Sequence, residues 1–579
     1  MDPIKVDFSK KNGGGKKEIV IPPEKAALKI VLSIVCMLVF AVVAFYVMLP
    51  AVNFKEYDFY LYLGMVAASY VVFNGIFSNV MAKPEYIPYV KKRAIVPGVI
   101  IGILVVAVGI GYLVSSEFFR AKSYSEIITV NNGSFTEEIE AQDIESFKDI
   151  PKLDNDSATE LANKALGDLA EKGYVSQFTA SAESTQINYN ETPVRVAPLK
   201  YASIIKWLYN TKEGLPGYVI IDMADESTKF MDATVKYSTA EYFNKKLSRH
   251  LRFEYPTYMF GDATFEIDDN GVPYWICPRL DKTIGLFGGT DVIGAVMVDA
   301  ATGECVYYDI DVFRTDESLK WVDRVYDSDL IVQQYNYYGK YRDGFWNSIL
   351  GQKNVITTTQ GYNYIAKDDD VWMYTGVTSV TSDSSITGFV LVNQRTKESI
   401  YYPVTGGTEA SAQEAAQGRV KQYNYTATFP LIVNIDGQPT YFMSLKDASN
   451  IVQQYALINV NQYNKIGATS NDLSTCLDNY RKSLKSNGAE IIVDQTPVVD
   501  ENDEPAAETL TATGTISQIR TAVKGGDSYY YIKLDSNAAY FSIAASKDET
   551  VVILNAGDSV TITYSGEGAI IAADSIKIN

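Results

Sequence analysis

Histidine is almost missing from this chain: there is one, His250, in 579 residues. A serine or cysteine hydrolase needs an imidazole base oriented by a third group, and a hydrolytic zinc site draws mainly on histidine. One histidine cannot serve both, and no G-x-S-x-G, Walker loop or H-E-x-x-H accompanies it. His250 lies in NKKLSRHLRF and reads as a solvated helix face. Cysteine is nearly as scarce. Cys36 sits in an apolar run, and Cys277, Cys305 and Cys476 are an odd number without metal-type spacing. Cys277 and Cys305 either pair across neighbouring strands or stand as separate buried thiols. No disulfide framework exists in either case, which fits a bacterial envelope better than a eukaryotic secretory product. Positive charge is short too. Lys and Arg number 51 against 70 Asp and Glu, a net charge of −19, so nucleic acid is not an expected partner. Tryptophan numbers 5 against 42 tyrosines, a bias that suits strands, loops and wet contact surfaces. Carboxylates are not scarce, so a glycosidase-like acid pair stays open as a second reading, with nothing to say which two meet. Asp368, Asp369 and Asp370 in KDDDVW read as a solvated turn. No catalytic residue, metal site or cofactor is assigned.

What the chain has is three long apolar runs, at 30–49, 59–80 and 96–114, each near the roughly 20 residues that cross a bilayer core. Lys5, Lys10, Lys11, Lys16, Lys17 and Lys25 precede the first, and Lys83, Lys91, Lys92 and Arg93 fill the loop before the third. The excess of basic residues on one side places the N-terminus in the cytoplasm. Residues 1–25 then read as a cytoplasmic tail, 26–115 as three transmembrane helices, and 116–579 as extracytoplasmic. Gly98 and Gly102 form a G-x-x-x-G pair that suits either self-association or packing against the other spans. Asn74, the one strongly polar residue inside the second run, is expected to hydrogen-bond across helices.

Residues 116–485 read as repeated α+β modules, at about 150–235, 236–315, 316–405 and 406–470. Pro193, Pro198, Gly217 and Asp222 match Pro273, Pro278, Gly294 and Asp299; Gly388 and Asn393 align in a looser third copy, and a fourth starts at Asp436. Each copy runs from an Asp-Gly-type turn into an alternating strand, then to an apolar strand, a tight turn such as 299–303, and another strand. Helical patterns precede some copies, which predicts a helix on an antiparallel sheet, repeated. Ser157 and Glu160 have the spacing of a capping box. Tyr335, Tyr337, Tyr338, Tyr341, Arg342, Phe345 and Trp346 make the densest aromatic stretch. Tyr337, Tyr338, Tyr341, Arg342 and Trp346 suit either a partner-binding surface or packing between repeats.

The phrase GAVMVDAATGECVYYDI resembles the closing hairpin of PepSY-type domains, in which a strand, a D-x-x-T-G-E turn and a final strand follow a helix and a hairpin. That resemblance implies small extracytoplasmic modules found beside peptidases and in envelope proteins, acting as inhibitory or binding units. Residues 486–508 are acidic, contain proline and lack apolar period, as a linker does. Residues 509–579 hold five strand patterns with an element between the third and fourth, and resemble an OB-fold barrel. The fold class expected is α+β: three N-terminal transmembrane helices, tandem helix-on-sheet modules and a C-terminal small β-barrel. The expected role is a membrane-anchored binding or scaffold protein of the cell envelope, partnered by the membrane and by other envelope proteins or itself. An envelope hydrolase with paired carboxylates is the second reading.

Overall fold

In a computed structural model of the chain the described residues are 20–142, 146–148, 150–167, 173–380, 382–488, 510–524, 527–545, 547–564, 568 and 570–579. Most of the predicted tail and of the 486–508 linker lies outside them. The chain divides into two compact units, Met1–Asp494 and Gln495–Asn579.

The first unit opens with α1 (Ala26–Met48), α2 (Tyr57–Ser78) and α3 (Ile87–Ser115), three helices long and apolar enough to cross a membrane. The basic stretch expected as a loop is helical from Ile87 onward. Pro88 occupies the start of α3, where a missing backbone N–H has no helical partner to lose. Past Ser115 the chain turns into α4 (Glu117–Ser125), which folds back so that the Tyr124 hydroxyl donates to the Ser115 carbonyl at 2.6 Å.

Beyond β1 (Asn131–Asn132) and α5 (Phe135–Glu138), one arrangement occurs four times. The first module has α6 (Asn155–Gly167), β2 (Phe178–Ala180), β3 (Thr185–Tyr189), β4 (Thr192–Tyr201), α7 (Ile204–Asn210), β5 (Leu215–Asp222) and β6 (Thr228–Val235). The second has α8 (Leu247–Glu254), β7 (Met259–Phe260), β8 (Thr264–Ile267), β9 (Pro273–Ile284), β10 (Gly288–Asp299) and β11 (Cys305–Asp309), with α9 (Ile310–Thr315) after it. The third has α10 (Ser328–Tyr341), β12 (Ile356–Thr358), β13 (Asn363–Lys367), β14 (Asp370–Ser379), β15 (Ser382–Asn393) and β16 (Ser399–Tyr402), extended by β17 (Gly406–Gly407). The fourth has α11 (Glu409–Arg419), β18 (Thr426–Ala427), β19 (Leu431–Ile435), β20 (Gln438–Lys446), β21 (Val452–Asn459) and β22 (Gly467–Ser470), and α12 (Leu473–Ser486) follows. In every module the first two strands share one edge of the third, the third pairs with the fourth, and the fourth with the fifth, all antiparallel.

Local chemistry explains the turns. Asn190-Glu191, Asp368-Asp369 and Asp436-Gly437 join second to third strands with positive φ at both positions, as a two-residue hairpin turn matched to strand twist requires. At the end of the fourth strand, Asp222, Asp299 and Asn393 each accept two backbone N–H groups of the following turn. Gly217, Gly294 and Gly388 sit where the ladder shifts register, and a Cβ there would strike the Met231, Tyr308 and Tyr402 carbonyls of the next strand.

Packing departs from a helix laid on one sheet face. Trp275, Cys277, Val296 and Val298 of the second sheet face a core shared with the first, while Ile276 and Ala295 face a core shared with the third. Tyr374, Phe389 and Leu391 of the third sheet face the fourth; Met373, Val390 and Val392 face the second. A period of two then fills both faces with apolar residues, which is why β10 and β15 read as near-continuous apolar runs. The outer face of the fourth sheet packs under α12, where Cys476, Leu477, Tyr480 and Leu484 are buried. Nor is the array open. Lys446 of β20 pairs with Asp154 at the start of α6, and Ser444 donates to the Lys152 carbonyl at 2.6 Å, so the fourth module touches the first. The same Asp154 accepts from the Ser157 N–H at 2.9 Å: it caps α6, which starts before the Ser157–Glu160 box expected to do so.

The second unit consists of β23 (Leu510–Lys524), β24 (Asp527–Leu534), β25 (Tyr540–Ala544), β26 (Ser559–Tyr564) and β27 (Ile570–Ile578). The strand order closes on itself as β23-β24-β25-β27-β26, around Ile516, Ile532, Phe541, Val560 and Ile562. A short 3-10 helix, Glu549–Ile553, separates β25 from β26.

Candidate functional site

One pair of carboxylates does meet. Glu266 of β8 and Asp323, in the connection before α10, are both essentially without solvent exposure. Glu266 accepts from the Asp323 N–H at 2.8 Å, the Arg324 N–H at 3.2 Å and the Thr264 hydroxyl at 2.9 Å. Asp323 accepts from the Asn188 N–H at 2.6 Å through one oxygen, and its other oxygen has no partner. Burial pushes the Glu266 carboxyl up to about 7, and burial together with the Glu266 charge pushes Asp323 well above the usual carboxylate range. Arg324 offsets this only in part: its charge acts on Glu266, but its guanidinium lies 4.3 Å over the Tyr364 ring and donates to that hydroxyl at 2.7 Å. A glycosidase pair must flank a cleft wide enough for a sugar. This pair is sealed where the first three modules meet, so its part is in holding modules together.

His250 is half-buried, not solvated. Its ring packs 4.5 Å from Tyr237, and Nε2 lies 2.7 Å from the Gly303 carbonyl and 3.4 Å from Cys305 Sγ. A carbonyl only accepts, so Nε2 carries the proton and is no base toward the thiol. Burial, with Glu254 and Glu304 adding to it, pushes the Cys305 thiol up to about 12, which keeps it protonated. Cys277 pairs with Val296 and Cys305 with Val298, on opposite sides of β10. Two strand spacings are about 9.6 Å, beyond the roughly 7 Å a disulfide spans, so both thiols are free. Of the three aspartates in KDDDVW, Asp368 and Asp369 form the turn. Asp370 is buried in a two-point ion pair, accepting from Arg395 at 2.7 and 2.6 Å and from Asn393 at 2.8 Å.

The aromatic stretch divides between core and surface. Tyr335 is fully buried. Tyr338 packs on the same core, with Arg342 5.4 Å above its ring and donating to the Asn354 carbonyl. Tyr337 and Tyr341 of α10 and Phe345 just beyond it form a stacked ladder, and Tyr337 lies 4.6 Å from Tyr124 of α4. Trp346 is 62% exposed and follows at the ladder's end, before a π-helical turn over Asn347–Gly351. In the helices, Asn74 is buried and donates from α2 to the Ser33 hydroxyl of α1 at 3.4 Å. Gly98 and Gly102 face open space, away from α1 and α2.

A cleft of about 340 Å³ lies between the third and fourth modules, and no sequence motif points to it. Ile365, Ala366 and Lys367 of β13 line one side, and Leu431, Ile432 and Val433 of β19 the other. Among the described residues β13 pairs only with β14, and β19 with β20 and, at Asn434 alone, with Ala141. Two strand edges therefore border the cleft, with Ile139, Gln142, Ile150 and Pro151 completing its lining. Glu138, Glu140 and Asp368 set three acids at its rim against Lys367, which is already paired with Asp368 at 2.5 Å. Strand edges show in a sequence only as short strands, which is why the cleft is illegible there. No protein-family model matches the chain, and no curated protein matches it.

Proposed function

We propose that the chain is a membrane-anchored binding and scaffold protein of a bacterial cell envelope, with its N-terminus cytoplasmic and residues 116–579 outside the membrane. The basic residues flanking the first and third apolar helices support that orientation. The D-x-x-T-G-E hairpin of the second module supports a PepSY-like reading of the repeats, and the closed strand order with a short helix between third and fourth strands supports an OB-like reading of the terminal unit. The cleft is the observation that carries the binding function. Two strand edges about its walls suit an extended peptide segment of another envelope protein, held by backbone pairing along β13 or β19. The acidic rim selects a segment carrying lysine or arginine. The sealed burial of Glu266 and Asp323 favours this reading over a hydrolase that uses that pair.

A photo-cross-linker placed at Gln142, half-exposed on the cleft wall, in the full chain in its native membranes tests it. One or two envelope proteins should be captured reproducibly through an extended segment. Ala366→Arg, which fills the cleft from an exposed position, should abolish the cross-link without lowering Tm. Capture that survives Ala366→Arg, or no capture from this position, would sink the reading.

A further inference from the structure

The modules carry two groups of exposed large apolar side chains, and each is tied by ring contacts to an end of an apolar helix. The first group is Phe118 and Phe119 of α4 with Trp346, Ile349 and Leu350 beyond α10; Leu350 is 76% exposed. Phe118 stands three residues past the end of α3, and its ring contacts Phe345 at 5.1 Å and Trp346 at 5.7 Å. Three Cα steps reach at most about 11 Å. The Tyr124–Ser115 hydrogen bond holds α4 against the end of α3, so the reach is shorter still.

The second group is Ile204, Ile205, Leu208 and Tyr209 of α7 with Phe243 and Phe253; Tyr209 is 84% exposed. Phe253 packs on Phe45 and Tyr46 in the last turns of α1, at 6.1 and 6.2 Å. Arg249 lies 4.2 Å over the Tyr46 ring, whose hydroxyl donates to Asn244. Phe243 then reaches Trp207 of α7 at 5.7 Å. Charge is distributed to match. In a chain of net charge −19, residues 204–213 and 241–254 hold Lys206, Lys212, Lys245, Lys246, Arg249 and the buried Arg252 against Glu213, Glu254 and the buried Glu241.

Both groups thus lie at the level where α1 ends and α3 ends, and the short 49–56 connection there is tied to the second module by the Lys55–Asp281 pair and the Val52–Pro256 hydrogen bond. The headgroup layer is several ångströms thick on each side of a bilayer, and aromatic side chains with basic neighbours partition into it. We infer that Trp346 with its neighbours and α7 with Phe243 and Phe253 are two interfacial anchors, which lay the first three modules on the lipid surface of the membrane that holds α1–α3. The occupant of both patches is phospholipid at the headgroup–acyl boundary, with anionic headgroups facing the basic residues of the second. The inference rests on the membrane-anchored reading but not on the orientation of the spans.

The full chain, reconstituted in phosphatidylcholine–phosphatidylglycerol vesicles, tests it with phosphatidylcholine brominated near the glycerol end of its acyl chains. Bromine should quench most of the emission that the wild type has and Trp346→Phe lacks. Tyr209→Trp in the Trp346→Phe background should restore a quenchable component. Matching melting curves establish that both exposed-site variants fold. If the protein floats with the vesicles but the Trp346 component is quenched by iodide in the water and not by bromine, the anchor is overturned and the patch is left to a protein partner. If the protein does not float with vesicles at all, the membrane-anchored reading falls and the anchors fall with it.

Discussion

Asp323 shows what one buried carboxylate does to the junction of three modules. Burial and the neighbouring Glu266 both disfavour ionisation, so the folded protein holds protons that the unfolded chain releases at ordinary carboxylate pH. With folded pKa values raised, this contribution to stability is full below about pH 4 and is lost as pH rises through about 7. Burial raises the Glu409, Glu226 and Asp369 carboxyls in the same direction, so the slope has more than one source. Tm in detergent should therefore fall between about pH 5 and pH 8. Asp323→Asn keeps an oxygen for the Asn188 N–H and removes the charge. It should flatten that slope and raise stability at pH 8, because the charge that burial and Glu266 disfavour is gone. A slope unchanged in the variant, read by thermal melts across pH, would place the titration elsewhere.

Among the elements, the fourth strand of the first three modules carries the most information. Its closing Asp or Asn and its interior Gly are readable without a structure, because a turn N–H needs an acceptor and a bulge leaves no room for a Cβ. Gly294→Ala should accordingly cost about 1–3 kcal/mol, since the new methyl meets the Tyr308 carbonyl. Gly418→Ala, in α11 with open space around it, should instead stabilise by about 0.5–1 kcal/mol. Denaturant melts of the two variants should move in opposite directions; equal shifts would refute the bulge account. Other features depend on partners far away in the chain. The Asp154 cap is fixed by Lys446, the Asp370 ion pair by Arg395, and the half-burial of His250 by Gly303. In each case a local window contains one partner only, and KDDDVW and NKKLSRHLRF therefore read as solvated surface. The α12 helix is different: Asp472 caps it, and Cys476, Leu477, Tyr480 and Leu484 recur at helical spacing. That signal stands in the sequence beside the fourth repeat, whose strand pattern drew the boundary.

At the scale of the molecule, shared cores decide how the chain unfolds. A solenoid whose repeats touch only their neighbours can lose them one at a time. Here the second and third sheets bury both faces, and Lys446–Asp154 ties the fourth module to the first. Removing any module would expose an apolar sheet face to water, so residues 116–488 should melt as one cooperative unit. The terminal unit has its own closed sheet and its own core, so it should melt separately. Its described strands span about 70 residues, which at about 0.7 kcal/mol per residue gives an enthalpy of about 50 kcal/mol. Calorimetry of the full chain in detergent should show two transitions, and a chain ending at Asp494 should retain the larger one at the same temperature. A separate transition for each module would mean that the shared cores do not couple them. Loss of the larger transition on truncation would mean that the terminal unit supports the modules.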